Sequence, residues 1–283
     1  MSIIPGALYV VATPIGNLGD FSARAIEVLG QVARIAAEDT RHSAPLLHRH
    51  GIATPLLSLH EHNERARVEQ LIEELRDGAA IALISDAGTP LISDPGFHLV
   101  RAARASGIRV IPVPGACALI TALSAAGLPT DRFVFEGFLP AKSAARRAHL
   151  ETLRTETRTL AFYESSHRIV ETLEDLVAVF GAARPAVLAR ELTKTFETIR
   201  DGSLLELQAF VTGDANQQKG EFVVLVQGAE EEPRDQAEAT RVLSILLEEL
   251  PVKQAAALAE RITGVKKNEL YKLALTLKSS EAE

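Results

Sequence analysis

The sequence of 283 residues contains a single cysteine, Cys117. One cysteine excludes an intrachain disulfide framework and a cysteine-based zinc cluster. The sequence also lacks any uninterrupted apolar run of about 18 residues, so no transmembrane helix is expected. The N-terminal stretch has neither the basic region nor the small-residue cleavage site of a signal peptide. These absences together favour a cytoplasmic location.

Positive charge is not in excess either, because the formal net charge is −7. A negative balance excludes a protein coated in positive charge that binds nucleic acid non-specifically. Basic residues nevertheless cluster in two places. The first cluster is Lys142, Arg146, Arg147, Arg154 and Arg158, and the second is Lys266, Lys267, Lys272 and Lys278. Each cluster fits a local basic patch or, more commonly, a solvated helix face.

Two common glycine fingerprints for nucleotides are missing, namely GxxxxGK followed by Ser or Thr, and a strand-linked GxGxxG. Four histidines have HxH spacing, namely His48, His50, His60 and His62. No carboxylate motif accompanies these histidines, so no metal site is expected. Cys117 has no histidine near it in sequence, which favours a small pocket-lining residue over a nucleophile.

The first part of the chain alternates short apolar runs with helical patterns. Strands are predicted at 7–12, 33–37, 55–59, 79–84 and 108–113. The clearest helical pattern between them is 62–76, and Asp20 is expected to cap a helix that ends near Leu29. This alternation predicts a mostly parallel sheet with helices on its faces.

The alternation restarts at Phe133. Strands are predicted at 133–137, 158–163, 186–190, 196–200 and 221–227, and helices at 142–155, 165–180 and 203–210. Because few long crossovers separate the last three strands, this sheet is expected to be mixed. The predicted domains are therefore 1–122 and 123–228.

A linker-like stretch, 229–236, precedes a predicted helical extension at 237–283. Its helical patterns are 237–249, 252–262 and 266–277. The last two flank Thr263-Gly264 and resemble a helix-turn-helix. Such pairs are more often packing modules than readers of nucleic acid, so both interpretations stay open.

The stretch LISDAGTPLISDPG, at Leu83–Gly96, directly follows a predicted strand. In open α/β sheets, ligands bind outside the carboxyl ends of strands, which places this loop where a ligand would sit. Asp86 is expected to contact that ligand. Asp94 precedes Pro95, the pattern of a helix N-cap followed by proline, so it is expected to cap the next helix.

Three further strand ends carry polar or glycine- and proline-rich residues, at 13–17, 112–117 and 163–168. Together with the loop at 83–96 they make four such strand ends on one side of the predicted fold. This arrangement favours a shared cleft over four unrelated turns. The charged segment ARELTKTFE, at 189–197, either presents Arg190, Glu191 and Lys194 to a substrate or forms an exposed salt-bridged turn.

Seven segments, in this order along the chain, together resemble one known family. They are LYVVATPIGNLGD, EDTRHS, LISDAGTPLISDPG, VPGACALITALSAAGLP, FYESSHRI, ARELTKTFE and GEFVVLVQG. The family is that of the bacterial 16S ribosomal RNA cytidine-2′-O-methyltransferases, a branch of the tetrapyrrole-methylase superfamily. The resemblance runs from about Leu8 to Gly228, and the 237–277 helices resemble the C-terminal extension of that branch.

The resemblance implies an α/β enzyme with a two-domain tetrapyrrole-methylase-like fold and a small C-terminal helical extension, usually a homodimer. It also implies that S-adenosylmethionine binds in the cleft between the domains, without a glycine fingerprint. Matched motif by motif, the cofactor contacts would be Pro14, Ile15, Asp86, Gly88, Thr89, Ala116, Cys117, Ala118 and Tyr163. The strand GEFVVLV would add backbone contacts.

The implied reaction is 2′-O-methylation of a cytidine ribose in the decoding region of 16S ribosomal RNA, within the small ribosomal subunit. Candidates for the base that takes the hydroxyl proton are Glu164, His167, Glu191 and Lys194, although Glu164 could instead orient Arg168. Candidates for binding RNA are Arg146, Arg147 and Arg190 and, in the extension, Lys266 and Lys267.

Two other functions remain compatible with the sequence. A methylase of a small tetrapyrrole-like substrate would share the fold and the cofactor. A non-enzymatic RNA-binding assembly factor would need basic surfaces but no cofactor. The lysines of the extension and the segment ARELTKTFE favour an RNA substrate over a tetrapyrrole-like one. The four strand-end loops favour an enzyme over an assembly factor.

Overall fold

The computed structural model describes residues 3–60, 63–230 and 234–280. The chain divides into two compact units, Met1–Gly228 (unit 1) and Ala229–Glu283 (unit 2). Unit 1 contains two five-stranded sheets, and unit 2 is helical. The division of unit 1 at residues 122 and 123 stays a prediction. In the part of the chain that the structure describes, no helix is both long enough and apolar enough to cross a membrane.

The first sheet is fully parallel, as its alternating sequence predicts. Its strands are β1 (Leu8–Val11), β2 (Arg34–Ala37), β3 (Leu56–Ser58), β4 (Ile81–Ile84) and β5 (Val110–Val113), in the order β3-β2-β4-β1-β5. Its helices are α1 (Ala23–Leu29), α2 (Thr40–Arg49), α3 (Glu64–Arg76), α4 (Phe97–Ala105) and α5 (Ala118–Ala125). Every residue of β4 is buried, because separate apolar clusters cover the two faces of the sheet.

Two of the predicted helix caps are wrong. Ser22, rather than Asp20, caps α1, and its Oγ accepts a hydrogen bond from the amide of Ala25 at 3.1 Å. Asp20 instead ends a short 3₁₀ turn, Leu18–Asp20. Asp94 does not cap α4, since the helix begins at Phe97 after Gly96 and has no side-chain cap from that residue.

Glu64 of α3 takes the place predicted for Asp94. One of its carboxylate oxygens accepts hydrogen bonds from the amides of His98 at 2.8 Å and Leu99 at 3.1 Å. Gly96 has a φ of 122°, and a Cβ added there would lie 2.6 Å from Leu83 Cδ2. Only glycine therefore fits where the chain turns into α4.

The second sheet is mixed, as predicted. Its strands are β6 (Phe133–Phe138), β7 (Thr159–Ser165), β8 (Pro185–Arg190), β9 (Thr198–Ser203) and β10 (Glu221–Val226), in the order β6-β7-β10-β8-β9. Only the β6–β7 pair is parallel. Helices α6 (Ser143–Thr152), α7 (Ile169–Phe180) and α8 (Leu204–Gly213) follow the predicted positions. One face of this sheet carries its own apolar cluster with these helices.

The opposite face of the second sheet packs against the first half of unit 1. Alanine and valine side chains of β7, β8 and β10 form one cluster with Ile15, Leu119, Ala122 and Leu123. Three of these four residues belong to α5, the helix that follows the last strand of the first sheet. The loops at the ends of the two sheets are therefore held against each other.

Unit 2 consists of three helices, α9 (Arg234–Glu249), α10 (Val252–Thr263) and α11 (Lys267–Ser280), near the three predicted positions. It has its own core, in which Leu243 and Leu270 are fully buried beside the alanines of α10. Gly264 ends α10 with a φ of 78°, in the left-handed region that favours glycine at helix C-termini.

Candidate active site

A cavity of about 340 Å³ lies inside unit 1, where strand-end loops of the two sheets meet. Its first wall follows strands β1, β4 and β5, and includes Ile15, Asp86 and Cys117. Its second wall comes from β7, from the loop after β8 and from the start of β10, and includes Tyr163, Glu191 and Glu221. The shared cleft expected from the four strand ends is thus present.

Most of the predicted cofactor contacts line this cavity. They are Ile15, Asp86, Gly88, Thr89, Cys117, Ala118 and Tyr163. Pro14 and Ala116 are not among its lining residues, although each adjoins one that is. The start of β10 also lines the cavity, at Glu221, Phe222 and Val223, as expected for the strand GEFVVLV.

Short backbone contacts fix the first wall. Thr13 and Gly88 exchange two amide hydrogen bonds, of 2.8 and 3.1 Å, and so join the loops after β1 and β4. The hydroxyl of Thr89 donates to the carbonyl of Ala116 at 2.9 Å, which adds the loop after β5. A Cβ on Gly88 would lie 3.2 Å from Ile15 Cγ2, so glycine lets these loops approach closely.

Backbone strain is concentrated at this cavity. Among the described residues, the non-glycine residues with positive φ are Leu91 (73°), Ser93 (66°), Glu191 (51°) and Thr193 (66°). The first two lie in the loop that contributes Ile92 and Asp94 to the cavity, and the other two lie in the loop that contributes Leu192 and Lys194. Such conformations cost free energy and persist where a site requires them.

The loop 191–197 carries an ion-pair network rather than isolated charges. The Nζ of Lys194 lies 2.8 Å from Glu191 Oε1 and 2.7 Å from Glu221 Oε2. Burial opposes ionisation of Glu191, but hydrogen bonds from Lys194 and from the Glu221 amide outweigh it and lower the pKa of the carboxyl. Burial also opposes the charge of Lys194, yet both carboxylates raise its pKa overall. Lys194 therefore stays protonated at neutral pH and is a poor proton acceptor.

Two glycines make room for this network. A Cβ on Gly220 would lie 2.5 Å from the side chain of Glu191, and one on Gly16 would lie 2.4 Å from Lys194 Cγ. The amide of Asn17 also donates to Thr193 Oγ1 at 3.2 Å. The loop after β1 and the loop after β8 are thereby connected across the cavity.

The other two base candidates are poorly placed. Glu164 lines the cavity, but it is only 2% exposed and accepts hydrogen bonds from the Ser165 amide, Arg168 and Thr172. This environment matches the alternative in which Glu164 orients Arg168. His167 is exposed and is not among the residues that line the cavity.

Asp94 lies at the cavity and not at the N-cap of α4, where the sequence pattern predicts it. It lines the cavity beside Glu38 and Asp86. Burial raises the pKa of its carboxyl to about 7, and the charges of Glu38 and Asp86 add to the effect, while a hydrogen bond from Ser85 opposes it. The Asp-Pro-Gly pattern suggested a helix cap. A signal for its actual place was the repeat of Leu-Ile-Ser-Asp, which sets Asp86 and Asp94 in one loop.

Two of the predicted RNA contacts need correction. Arg146 has no exposed surface, because its guanidinium is paired with Asp175. Arg190 is 7% exposed, and it donates to the carbonyls of Lys219 and Phe196. RNA phosphates are therefore no longer expected at these two positions. Arg147, whose side chain is half exposed, and Lys266 and Lys267 in unit 2 stay predictions.

Within residues 3–60, 63–230 and 234–280, no group of three or more histidine, cysteine or acidic side chains could hold a metal ion. His62, one of the four histidines with HxH spacing, lies outside these residues.

Comparison with known proteins agrees with this geometry. Residues 7–208 match the family model described as Tetrapyrrole (Corrin/Porphyrin) Methylases, and residues 233–278 match the RsmI C-terminal HTH domain. The chain is 63% identical, over 95% of its length and 97% of the relative's, to Ribosomal RNA small subunit methyltransferase I of Pseudomonas aeruginosa.

Several solved structures share the fold of this chain, although less than a quarter of their aligned residues are identical to it. The methyltransferase CobJ superposes with a TM-score of 0.59 at 20% identity, over 81% of this chain and 96% of that one. Uroporphyrin-III C-methyl transferase from Thermus thermophilus, complexed with S-adenyl homocysteine, gives 0.54 at 16% identity, over 77% and 96%. The chain therefore belongs to the tetrapyrrole methylase family and, within it, to the family of ribosomal RNA small subunit methyltransferase I.

Proposed function

We propose that this protein transfers a methyl group from S-adenosylmethionine to the 2′-hydroxyl of a cytidine in the decoding region of 16S ribosomal RNA. The observation that carries the proposal is the 63% identity, over nearly the whole chain, to a ribosomal RNA small subunit methyltransferase I. The alignment covers 95% of the chain and therefore extends into unit 2 as well as through the methylase fold. A tetrapyrrole substrate has only the fold in its favour, and the enzyme family argues against a non-enzymatic assembly factor.

The acidic and small residues that line the cavity support S-adenosylmethionine as its ligand. Glu38, Asp86 and Asp94 lie along one wall, where they complement the positive charges of the sulfonium and the amino group. Small residues such as Gly88 and Ala118 leave the backbone within reach of the ligand. When bound, S-adenosylmethionine supplies a methyl group on a sulfonium, which is already a good leaving group.

The protein's own contribution is to position the reacting hydroxyl and to limit the access of water. The loops joined by the Asn17–Thr193 hydrogen bond hold the two walls together around the reacting groups. At the rim, Phe138 is 55% exposed and its ring contacts Tyr163 edge-on, with centroids 5.7 Å apart. Its free face offers a surface on which a nucleobase can stack.

The proposal includes the assembled small ribosomal subunit as substrate, a homodimer as the active form, and the cytoplasm as the location. These parts follow from the nature of the substrate and from the family, and each can be measured separately. Sedimentation equilibrium decides the oligomeric state, and a comparison of free 16S RNA with small subunits decides the substrate.

The test is transfer of a tritiated methyl group into small subunits purified from a strain that lacks the modification. We expect label in a single cytidine ribose, identified by mass mapping of RNA fragments. Subunits from the parent strain, whose cytidine is already methylated, are the control and should stay unlabelled. Absence of label with folded protein that binds S-adenosylmethionine would contradict the proposed substrate.

A further inference from the structure

The interior of the cavity is a poor place for an RNA phosphate. Among the described residues, six acidic side chains and one basic side chain, that of Lys194, line it. The Nζ of Lys194 is bound by Glu191 at 2.8 Å and by Glu221 at 2.7 Å, so its charge is already compensated within the protein. A phosphate inside the cavity would be repelled. The contacts that hold the RNA chain on either side of the methylated nucleotide are therefore expected just outside the cavity.

The loop 191–197 presents an aromatic ring to solvent beside the cavity. Phe196 is 70% exposed, more than any other large apolar side chain in the described part of the chain. It follows Lys194, which lines the cavity, by two residues, and two residues span at most about 7 Å. A phenylalanine at this exposure gains little from burial within its own chain, which leaves the ring free to contact a ligand.

The loop holds this ring in a defined place. Glu191 and Thr193 have positive φ, 51° and 66°. The Thr193 amide donates to Glu197 Oε2 at 2.6 Å, and the Glu197 amide donates to the carbonyl of Lys194 at 3.1 Å. Strained conformations of this kind persist where the surrounding structure enforces them, and they cluster at functional sites. The exposure of Phe196 therefore results from a closely bonded loop.

The buried Arg190 joins this loop to the turn before β10. Its Nη1 donates to the carbonyl of Phe196 at 3.1 Å, and its Nε donates to the carbonyl of Lys219 at 2.7 Å. One guanidinium thus brings the backbone of both residues together. The exposed Lys219 contacts Asn216 Oδ1 through its Nζ at 3.1 Å, and no carboxylate of the described residues pairs with it. Its charge, unlike that of Lys194, is available to an external anion.

We infer that Phe196 and Lys219 form a subsite that binds a nucleotide adjoining the methylated one in the ribosomal RNA. This inference rests on the proposed function. The base stacks on the ring of Phe196, and the ammonium group of Lys219 pairs with a phosphate. The subsite lies outside the cavity and is distinct from Phe138, which lines the cavity. Arg190, a predicted RNA contact, instead holds the two residues that touch the RNA.

The first test measures methyl transfer to small subunits as kcat/KM. Phe196→Ala should lower it roughly 5- to 150-fold, because one base–aromatic stack is lost. Phe196→Trp should stay within about threefold of the wild type, since it keeps an aromatic face. Leu205→Ala is the matched control, because that side chain is 51% exposed beyond the opposite end of β9. Wild-type kcat/KM in Phe196→Ala would overturn the inference.

The affinity for S-adenosylmethionine separates this subsite from the cofactor site. Phe196 and Lys219 are not among the residues that line the cavity. Their variants should therefore bind S-adenosylmethionine within about twofold of the wild type, as measured by calorimetry. A loss of cofactor affinity as large as the loss of kcat/KM would assign both residues to the cofactor site instead.

The phosphate contact has a test of its own in the dependence of kcat/KM on salt. Lys219→Gln should reduce the slope of log kcat/KM against log salt concentration by about 0.7, the value for one phosphate contact on a single strand. Arg104→Gln, at an exposed position in the last turn of α4, should keep the wild-type slope. An unchanged slope in Lys219→Gln would refute the phosphate contact.

A second copy of the chain is the other candidate for covering the ring of Phe196. Sedimentation equilibrium distinguishes the two occupants. Phe196→Ala should keep the oligomeric state of the wild type, because its ring contacts RNA. A shift of the variant to a smaller species would place the ring in a subunit interface and overturn the inference.

Binding to small subunits, measured by filter retention of protein loaded with S-adenosylhomocysteine, needs no methyl transfer. If the wild type methylates no RNA, the proposed function fails, and this measurement still decides the inference. Binding by Phe196→Ala that is roughly 5- to 150-fold weaker than that of the wild type would support the subsite. Equal binding by the two proteins, or no binding by either, would overturn it.

Discussion

Arg146 is fully buried, which is unusual for the side chain with the most persistent charge. Its Nε donates to Asp175 at 2.6 Å, and its Nη2 lies 3.6 Å from a carboxylate oxygen of Glu171. Arg147 contacts the other oxygen of Asp175 but has a half-exposed side chain. Burial opposes ionisation of Asp175, and the hydrogen bonds from Arg147, Ser143 and Arg146 outweigh it and lower the pKa. The two neighbouring arginines therefore share one carboxylate in very different environments.

Arg146→Ala is expected to destabilise the protein by about 3–5 kcal/mol, because it leaves the buried carboxylate of Asp175 with less compensation. Arg147→Ala should cost less than Arg146→Ala, since the Arg147 side chain is half exposed and Asp175 keeps its contacts with Arg146 and Ser143. Urea denaturation followed by circular dichroism measures both free energies of unfolding. Equal losses for the two variants would show that burial does not separate their roles.

For single residues, the cofactor contacts were largely predicted from the sequence, whereas the burial of Arg146 was not. Seven of the nine predicted cofactor contacts line the cavity, because the motifs that carry the resemblance lie at strand ends. The burial of Arg146 was not predicted, since its charged stretch, KSAARR, also fits a solvated helix face. Only the fold reveals that Asp175, 29 residues further along the chain, lies against it.

At the scale of secondary structure, the strands follow closely from the sequence. Each predicted strand is present, and the buried ones, such as β4 and β10, are short runs rich in Val, Ile and Leu. Helix α2, by contrast, was not predicted, because its sequence shows no clear helical pattern. It is polar and contains Pro45 in its interior, which removes one amide donor and disrupts the usual pattern. Its N-cap is Asp39, whose carboxylate accepts from the Arg41 amide at 2.8 Å.

The start of α4 depends on a contact from another helix, which no local pattern could have shown. Glu64 is only 4% exposed, and it accepts hydrogen bonds from two amides of α4. Its negative charge also interacts favourably with the positive end of the helix dipole. The contact joins α3 to α4 and so fixes the element that follows the loop of Asp94.

Glu64→Ala is expected to cost about 1–3 kcal/mol in the free energy of unfolding, because two buried amides lose their acceptor. Glu64→Gln should cost less, since its amide oxygen can still accept. Glu69→Ala, at an exposed position on the same helix, serves as the control and should stay close to the wild type. Hydrogen exchange of the His98 and Leu99 amides should accelerate in Glu64→Ala, and unchanged exchange would argue against this cap.

At the scale of the whole molecule, loops of the two sheets of unit 1 line a single cavity. The cluster of Ile15 and α5 residues against β7, β8 and β10 is as thoroughly buried as the core of either sheet. Every residue that lines the cavity belongs to unit 1. Unit 2 has a separate core of its own. The sequence predicted the three helices of unit 2, because helical periodicity is a local property. Of the predicted linker at 229–236, residues 231–233 lie outside the described part of the chain, and residues 234–236 belong to α9.

This separation of cores leads to a prediction for a chain truncated after Gly228. The shortened protein should fold and bind S-adenosylmethionine with a dissociation constant within about twofold of the full chain, since it keeps every lining residue. Its methylation of small subunits should fall about tenfold or more if the lysines of unit 2 contact RNA phosphates. Calorimetry and methyl-transfer kinetics measure the two effects on the same preparations.

The charge-reversed full chain, with Lys266→Glu and Lys267→Glu, separates a loss of RNA contact from a loss of stability. Lys266 directly precedes α11 and Lys267 is its first residue, and both lie outside the core of unit 2, so the fold of that unit should remain. The variant should reproduce the reduced methylation of the truncated protein, and its deficit relative to the wild type should grow as salt is lowered, because the wild type's phosphate contacts strengthen steeply at low ionic strength. Glu248→Lys, on α9, is the matched control for a change of charge elsewhere in unit 2. Full methylation by the charge-reversed chain would assign unit 2 a packing role, and loss of cofactor binding on truncation would show that the two units depend on each other.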